Sequence, residues 1–164
     1  MARSLLRAGL PGLLVFIAAI GAILLLTWPW ARHFNGEFLA HWDPPFHAWK
    51  LEFMARNILR GDLFLTSSEA NVLYPHAGTL YYEALQWPPA LLAAALFRWT
   101  AWTPEFVYHV VLIVFWALSA PCMYALLREL GLGRAAAFCG GLLYCTLPHR
   151  ISYMVEFQMQ LIFA

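Results

Sequence analysis

An uncharged apolar run near the start of the chain constrains the fold more than any other feature. Residues 8–30 contain no Asp, Glu, Lys or Arg. A helix of these 23 residues would be about 35 Å long, enough to cross a hydrocarbon core of about 30 Å. The run ends in Trp28, Pro29 and Trp30, an aromatic anchor instead of the small residues of a signal-peptide cleavage site. We therefore predict a transmembrane helix at 8–30.

Composition points to the lipid bilayer as the main partner. Hydrophobic residues make up 62% of the 164 residues and charged residues only 12%, whereas about a quarter of a soluble domain is charged. The net charge of +1 provides no basic surface for nucleic acid. Cys122, Cys139 and Cys145 lie in apolar runs without metal-ligand spacing, so we predict packing roles for them and no metal site.

Two further uncharged segments extend this pattern. We predict transmembrane helices at 106–127 and 132–148, and the start of a further helix at 151–164. Residues 33–103 hold most of the acidic side chains and several prolines, so they form a loop region with short helices. The predicted fold is all-α: polytopic transmembrane helices with an extracytoplasmic loop that contains juxtamembrane amphipathic helices. Because no stop signal follows residue 151, we expect residues 1–164 to be the N-terminal part of one larger membrane domain.

Arginines predict which side of the membrane each segment occupies. Arg3 and Arg7 precede the first span, and Arg128 and Arg134 flank the connector between the second and third. The positive-inside rule places both groups in the cytoplasm and the loop outside. This topology requires that residues 88–100 do not cross, and their apolar run is short enough to suit an interfacial or re-entrant segment.

The loop opens with an amphipathic helix. Asp43 suits a helix N-cap, Pro44 and Pro45 suit the first turn, and Gly61 suits the stop. We predict that this helix lies in the membrane interface, because aromatic rings alternate with its cations. The predicted apolar face comprises Leu51, Met54, Ala55, Ile58 and Leu59, and the predicted polar face comprises Lys50, Arg56, Asn57 and Arg60.

Asp43 is the candidate catalytic residue of this loop. A carboxylate just outside the first span suits the removal of a proton from a hydroxyl, as a general base or through a metal ion, and it also suits a simple helix cap. His41 and His47 are close in sequence. No spacing defines a ligand set, so interfacial packing is an alternative to substrate binding for His47.

Further candidates for substrate binding follow. Tyr74, His76 and Glu83 place polar tips among aromatic residues, a pattern typical of sugar recognition and also of a membrane-surface loop. His149 and Arg150 follow the third span, where a guanidinium suits bidentate binding of a phosphate. Snorkelling of Arg150 to the lipid headgroups is the alternative.

The order of these motifs resembles the C-type (GT-C) membrane glycosyltransferases, a group that includes protein O-mannosyltransferases and the aminoarabinose and galacturonosyl transferases of bacterial envelopes. The resemblance covers nearly the whole chain and is strongest to bacterial members. The group has many more spans than the three and part of a fourth predicted here, so we expect this part alone to be inactive. The motifs are Trp42-Asp43-Pro44 and Ala48-Trp49-Lys50-Leu51, then residues 70–76, Thr79-Leu80 with Tyr82-Glu83, and residues 91–97, 126–131 and 147–150.

The resemblance implies a function and a location. Similar enzymes transfer sugar from a polyprenyl-phosphate donor to a glycan, lipid or protein acceptor, with an Asp of the first outer loop as base. It implies Asp43 as that base, with Glu83 helping to bind the acceptor and Arg150 the donor phosphate, in the bacterial inner membrane. The sequence shows no evident metal site and leaves the cofactor unknown, and the lipid-phosphate sugar is the donor substrate. The alternatives are a transporter or flippase for lipid-linked glycans and a small non-enzymatic membrane scaffold.

Overall fold

The computed structural model describes residues 2–28, 30–38, 43–63 and 86–150, except for the side chains of residues 2–8 and of Asp43. No strand occurs in these ranges, so the predicted all-α class is confirmed for them. A further helical turn begins at Pro148. The five complete helices are α1 (Ala2–Leu26), α2 (Asp43–Leu59), α3 (Trp87–Trp99), α4 (Pro104–Glu129) and α5 (Arg134–Cys145), and a 3-10 turn lies at Trp30–Arg32.

The chain divides into two compact units. We call Met1–His33 together with Leu112–Ala164 the terminal unit, and Phe34–Val111 the loop unit. The first turns of α4 belong to the loop unit and the rest of α4 to the terminal unit. The loop unit therefore contains nearly all of the segment that was predicted to form the extracytoplasmic loop.

Two of the described helices are long and apolar enough to cross a membrane. They are Gly9–Leu26 within α1 and Pro104–Glu129, which is α4, with mean hydropathies of 2.5 and 2.2. Both coincide with predicted spans, although α1 ends at Leu26 and the predicted span extended to residue 30. Length and composition are the criteria here, and a buried core helix or a signal sequence also meets them.

The other two helices of interest are shorter than a bilayer core. With 13 residues in α3 and 12 in α5, they are about 20 Å and 18 Å long. The length of α3 agrees with the prediction that 88–100 does not cross. The helix at α5 is shorter than the span predicted for 132–148, because Pro148 disfavours helical backbone at Leu147 and lacks an N–H.

Close helix packing stabilises the terminal unit. Val15, Ala19 and Ile23 form one buried stripe on α1, and α1 packs against α5. Helices α4 and α5 approach closely at a glycine: a Cβ on Gly141 would lie 2.7 Å from the carbonyl oxygen of Ala120 on α4. The indole N–H of the buried Trp116 donates a hydrogen bond of 2.7 Å to the carbonyl of Cys145.

Candidate functional site

Helix α2 begins and ends where its sequence predicts. It starts at Asp43, and Gly61 follows its last turn with a φ of 84°. The N–H of Gly61 donates to Ile58 at 3.0 Å and the N–H of Asp62 to Asn57 at 3.0 Å, which is the bonding of a Schellman cap. The cap defines a rigid 17-residue helix with the candidate catalytic residue at its first position.

The buried faces of α2 differ from the prediction. The apolar residues Leu51, Met54 and Ala55 are buried as expected, but Lys50 and Asn57 are buried too, with exposures of 0% and 4%. They were predicted on the polar face of the helix, and Leu59 of the predicted apolar face is instead 46% exposed. Burial of these two side chains shows that α2 is covered on a wider arc than its apolar residues span, because neighbouring segments pack on part of its polar face as well.

Polar positions on α2 follow one line along the helix. Positions 43, 47 and 50 are spaced i, i+4 and i+7, which places them on the same face. The ring of His47 lies 5.7 Å from the ring of Phe46, and the Nζ of Lys50 lies 5.6 Å from that ring. A buried ammonium is retained in a protein only where charges or hydrogen bonds compensate its lost hydration. The face of α2 that begins with Asp43 therefore carries an interior positive charge.

A row of stacked aromatic rings occupies another side of α2. The ring of Trp49 lies 5.8 Å from Phe46 and 5.6 Å from Phe53, with interplanar angles of 30° and 26°. Trp49 is exposed, and so is Arg56, whose guanidinium pairs with Glu52 at 2.7 Å. Flat exposed rings beside cations suit both lipid headgroups and the apolar faces of sugars.

Helices α2 and α3 pack together. The guanidinium of Arg56 lies 5.5 Å from the ring of Phe97, so side chains from the last turns of the two helices meet. Ala48 on α2 and Ala90 on α3 are both buried. The two helices therefore form one packed pair within the loop unit.

Gln86 lies at the N-cap position of α3 and is 5% exposed. Among the residues that the structure describes, neither its Oε1 nor its Nε2 has a hydrogen-bond partner. Buried carboxamides are normally bonded to protein, water or ligand. This side chain is a polar group in the interior of the loop unit.

His109 joins α4 to the segment before α2. Its Nδ1 donates to the carbonyl of Phe34 at 2.9 Å, since a carbonyl oxygen only accepts. Its ring stacks on Phe34 at 5.0 Å and lies 5.5 Å from Phe38 and 5.1 Å from Tyr108. These contacts hold residues 34–38, the described segment that leads towards Asp43, against the start of α4.

The predicted residues His149 and Arg150 belong to the terminal unit. His149 is exposed. The guanidinium of Arg150 stacks over the ring of Tyr144 at 4.0 Å and donates a hydrogen bond to its hydroxyl. This pairing holds the guanidinium in one orientation.

The remaining predicted residues, Tyr74, His76 and Glu83, lie outside the described residues. The residues that the structure does describe contain no group of three His, Cys, Asp or Glu side chains suited to a metal ion. Of the candidates, the structure brings residues 43 and 47 together on α2.

Sequence reasoning missed three residues of the loop unit: Lys50 as a buried cation, Gln86 and His109. The spacing of Lys50 from Asp43 was a signal, because seven residues are close to two helical turns. His109 lies within the uncharged run at 106–127, which was a signal for its burial, whereas nothing in the sequence around Gln86 indicated that it is buried. In comparisons of the whole chain, no protein-family model, no curated protein and no solved structure matched it.

Proposed function

We propose that this chain carries the catalytic loop of a membrane glycosyltransferase. The enzyme transfers a sugar from a polyprenyl-phosphate donor to an acceptor hydroxyl on the outer side of the bacterial inner membrane. The observation that carries the proposal is α2, where positions 43, 47 and the buried Lys50 share one face beside a row of stacked aromatic rings.

The membrane location is supported by the two apolar helices. Along Gly9–Leu26 only 17% of the residues are buried, and Leu10 and Leu25 are 69% and 77% exposed. Exposed leucines on a helix without charge are unfavourable in water and favourable in hydrocarbon. At the end of α1, the guanidinium of Arg32 lies 4.7 Å from the ring of the exposed Trp28, a pairing suited to the headgroup layer.

The proposed chemistry is a single displacement. The Asp43 carboxylate accepts the proton of the acceptor hydroxyl, whose oxygen forms a bond to the anomeric carbon of the sugar. The bond from that carbon to the phosphate oxygen breaks, and its electron pair leaves with the lipid phosphate. The product is inverted at the anomeric carbon. Arg150 is proposed to bind the donor phosphate and Glu83 the acceptor.

Replacement of the base tests this proposal. In membranes that contain the complete protein, Asp43→Asn should lower transfer from undecaprenyl-phosphate-linked sugars by about 10²- to 10⁴-fold, because a positioned general base contributes about that much. Donor binding should persist. Asp62→Asn, which removes a carboxylate just after the α2 cap, is the matched control and should retain activity.

Two outcomes would contradict the proposal. Unchanged transfer by Asp43→Asn would exclude this residue as the base. Movement of an intact lipid-linked glycan across the membrane, without bond cleavage, would favour the transporter or flippase.

A further inference from the structure

The position of Gln86 at a helix terminus does not explain why its carboxamide is buried. An N-cap side chain normally accepts hydrogen bonds from the N–H groups of the second or third helical residue. In α3 those positions are Pro88 and Pro89, which have no N–H. Gln86 accordingly makes no side-chain cap bond, although it is buried. Its two N–H donors and its carbonyl acceptor are left for another partner.

The location of this amide points to a ligand of the candidate site. Gln86 precedes α3, which packs against α2, the helix that begins at Asp43. The aromatic row of Phe46 and Trp49 starts within the first two turns of α2. The buried amide therefore belongs to the same unit as the proposed base and the aromatic row.

The chemistry of the amide indicates what kind of group it binds. A carboxamide is neutral and offers donors and an acceptor side by side. It therefore matches hydroxyl groups, which also donate and accept, better than a phosphate, which accepts only and prefers cations. A sugar supplies hydroxyls on adjacent carbons together with an apolar face for aromatic rings.

We infer that the Gln86 carboxamide binds hydroxyl groups of the transferred sugar and so lets the site distinguish a glycosylated lipid phosphate from the bare carrier. This inference rests on the proposed function and deepens it, because it assigns a sugar-binding residue that is separate from the base.

The test replaces Gln86 with methionine, an apolar side chain of similar length. Purified complete protein is titrated with undecaprenyl phosphate and with undecaprenyl phosphates that carry glucose, mannose or galactose, and binding is measured from the shift in thermal midpoint. Wild type should bind one glycosylated lipid at least about 10-fold more tightly than the bare lipid. Gln86→Met should abolish that preference and leave affinity for the bare lipid unchanged.

The matched control is Asn57→Leu. Asn57 is also a buried amide of the loop unit, but it bonds to the carbonyl of Phe53 at 2.9 Å and lies towards the far end of α2. This variant should keep the wild-type preference.

A second measurement separates ligand binding from a structural role. Without ligand, Gln86→Met should melt at or above the wild-type midpoint, because an apolar side chain replaces an amide that has no hydrogen-bond partner among the residues that the structure describes. A lower midpoint, or an intact preference for the glycosylated lipid, would overturn the inference. If wild type neither prefers nor transfers any of the sugars while Gln86→Met is stable, the proposed function itself fails.

Discussion

Two neighbouring glycines of α5 provide a sharp test of the helix packing. Gly140 and Gly141 both face α4, but a methyl group on each would meet different atoms. On Gly140 it would meet the end of the Leu127 side chain, which can rotate away. On Gly141 it would lie 2.7 Å from the backbone oxygen of Ala120, about 0.7 Å short of the 3.4 Å at which ordinary contact begins. Backbone cannot rotate away, so α4 and α5 must separate.

The magnitude follows from comparing the two alanine variants. Each gains about 1 kcal/mol of helix propensity, so this gain cancels between them. Gly140→Ala costs at most a rotamer change, about 0.5–1.5 kcal/mol. Gly141→Ala overpacks the interface, which costs about 1–3 kcal/mol and is not relieved by a rotamer change. We expect Gly141→Ala to be the less stable variant by about 0.5–1.5 kcal/mol, the difference between those costs.

The free energy of unfolding in mixed micelles measures this difference. In a background in which the other seven of the eight tryptophans are phenylalanine, the fluorescence of Trp116 reports on the interface, because this buried indole bonds to the carbonyl of Cys145 on α5. Gly141→Ala should shift its emission to the red in the folded state. Equal stabilities of the two variants, with unchanged emission, would refute the close approach of α4 and α5 at Gly141.

Two further pairs of substitutions test one hydrogen bond and one helix cap. Trp116→Phe removes the donor of the 2.7 Å hydrogen bond to Cys145 and should lower the free energy of unfolding by about 1–3 kcal/mol. The control Trp99→Phe, at an 81% exposed site, should change it by less than about 0.5 kcal/mol. Equal effects of the two substitutions would contradict the buried bond. Gly61→Ala should lower the free energy of unfolding by about 1–2 kcal/mol, because φ is 84° at this residue. Chemical denaturation should show a smaller loss for Gly133→Ala, where φ is −61°. The reverse order would contradict the Schellman cap.

Local signals made the helices of this chain predictable. Pro44 and Gly61 mark the start and stop of α2 because each acts through backbone geometry within a few residues. The run at 106–127 predicts α4 for a similar reason, since an uncharged helix of that length has few alternatives. Helix α5 ends earlier than predicted, because the apolar run continues to Leu147 whereas Pro148 disfavours helical backbone at that residue.

Burial in the candidate site was less predictable. Periodicity identifies the most apolar face of α2 but not how wide an arc its neighbours cover, so Lys50 and Asn57 were predicted on the polar face and their burial was not predicted. In the sequence, Gln86 is an ordinary polar residue shortly before two prolines. Its burial becomes visible only in the folded structure. The place of Asp43 was predictable because it depends on the local start of a helix.

The central claim is that the loop unit faces the outside of the membrane while the connector before α5 faces the cytoplasm. Arg60 and Arg134 are both exposed. The test replaces each of them with cysteine, one at a time, in a protein whose three natural cysteines are changed to alanine. A membrane-impermeant maleimide applied to intact spheroplasts should label Arg60→Cys at once and Arg134→Cys only after the membrane is opened. Labelling of both from outside, or of Arg134→Cys alone, would contradict the claim.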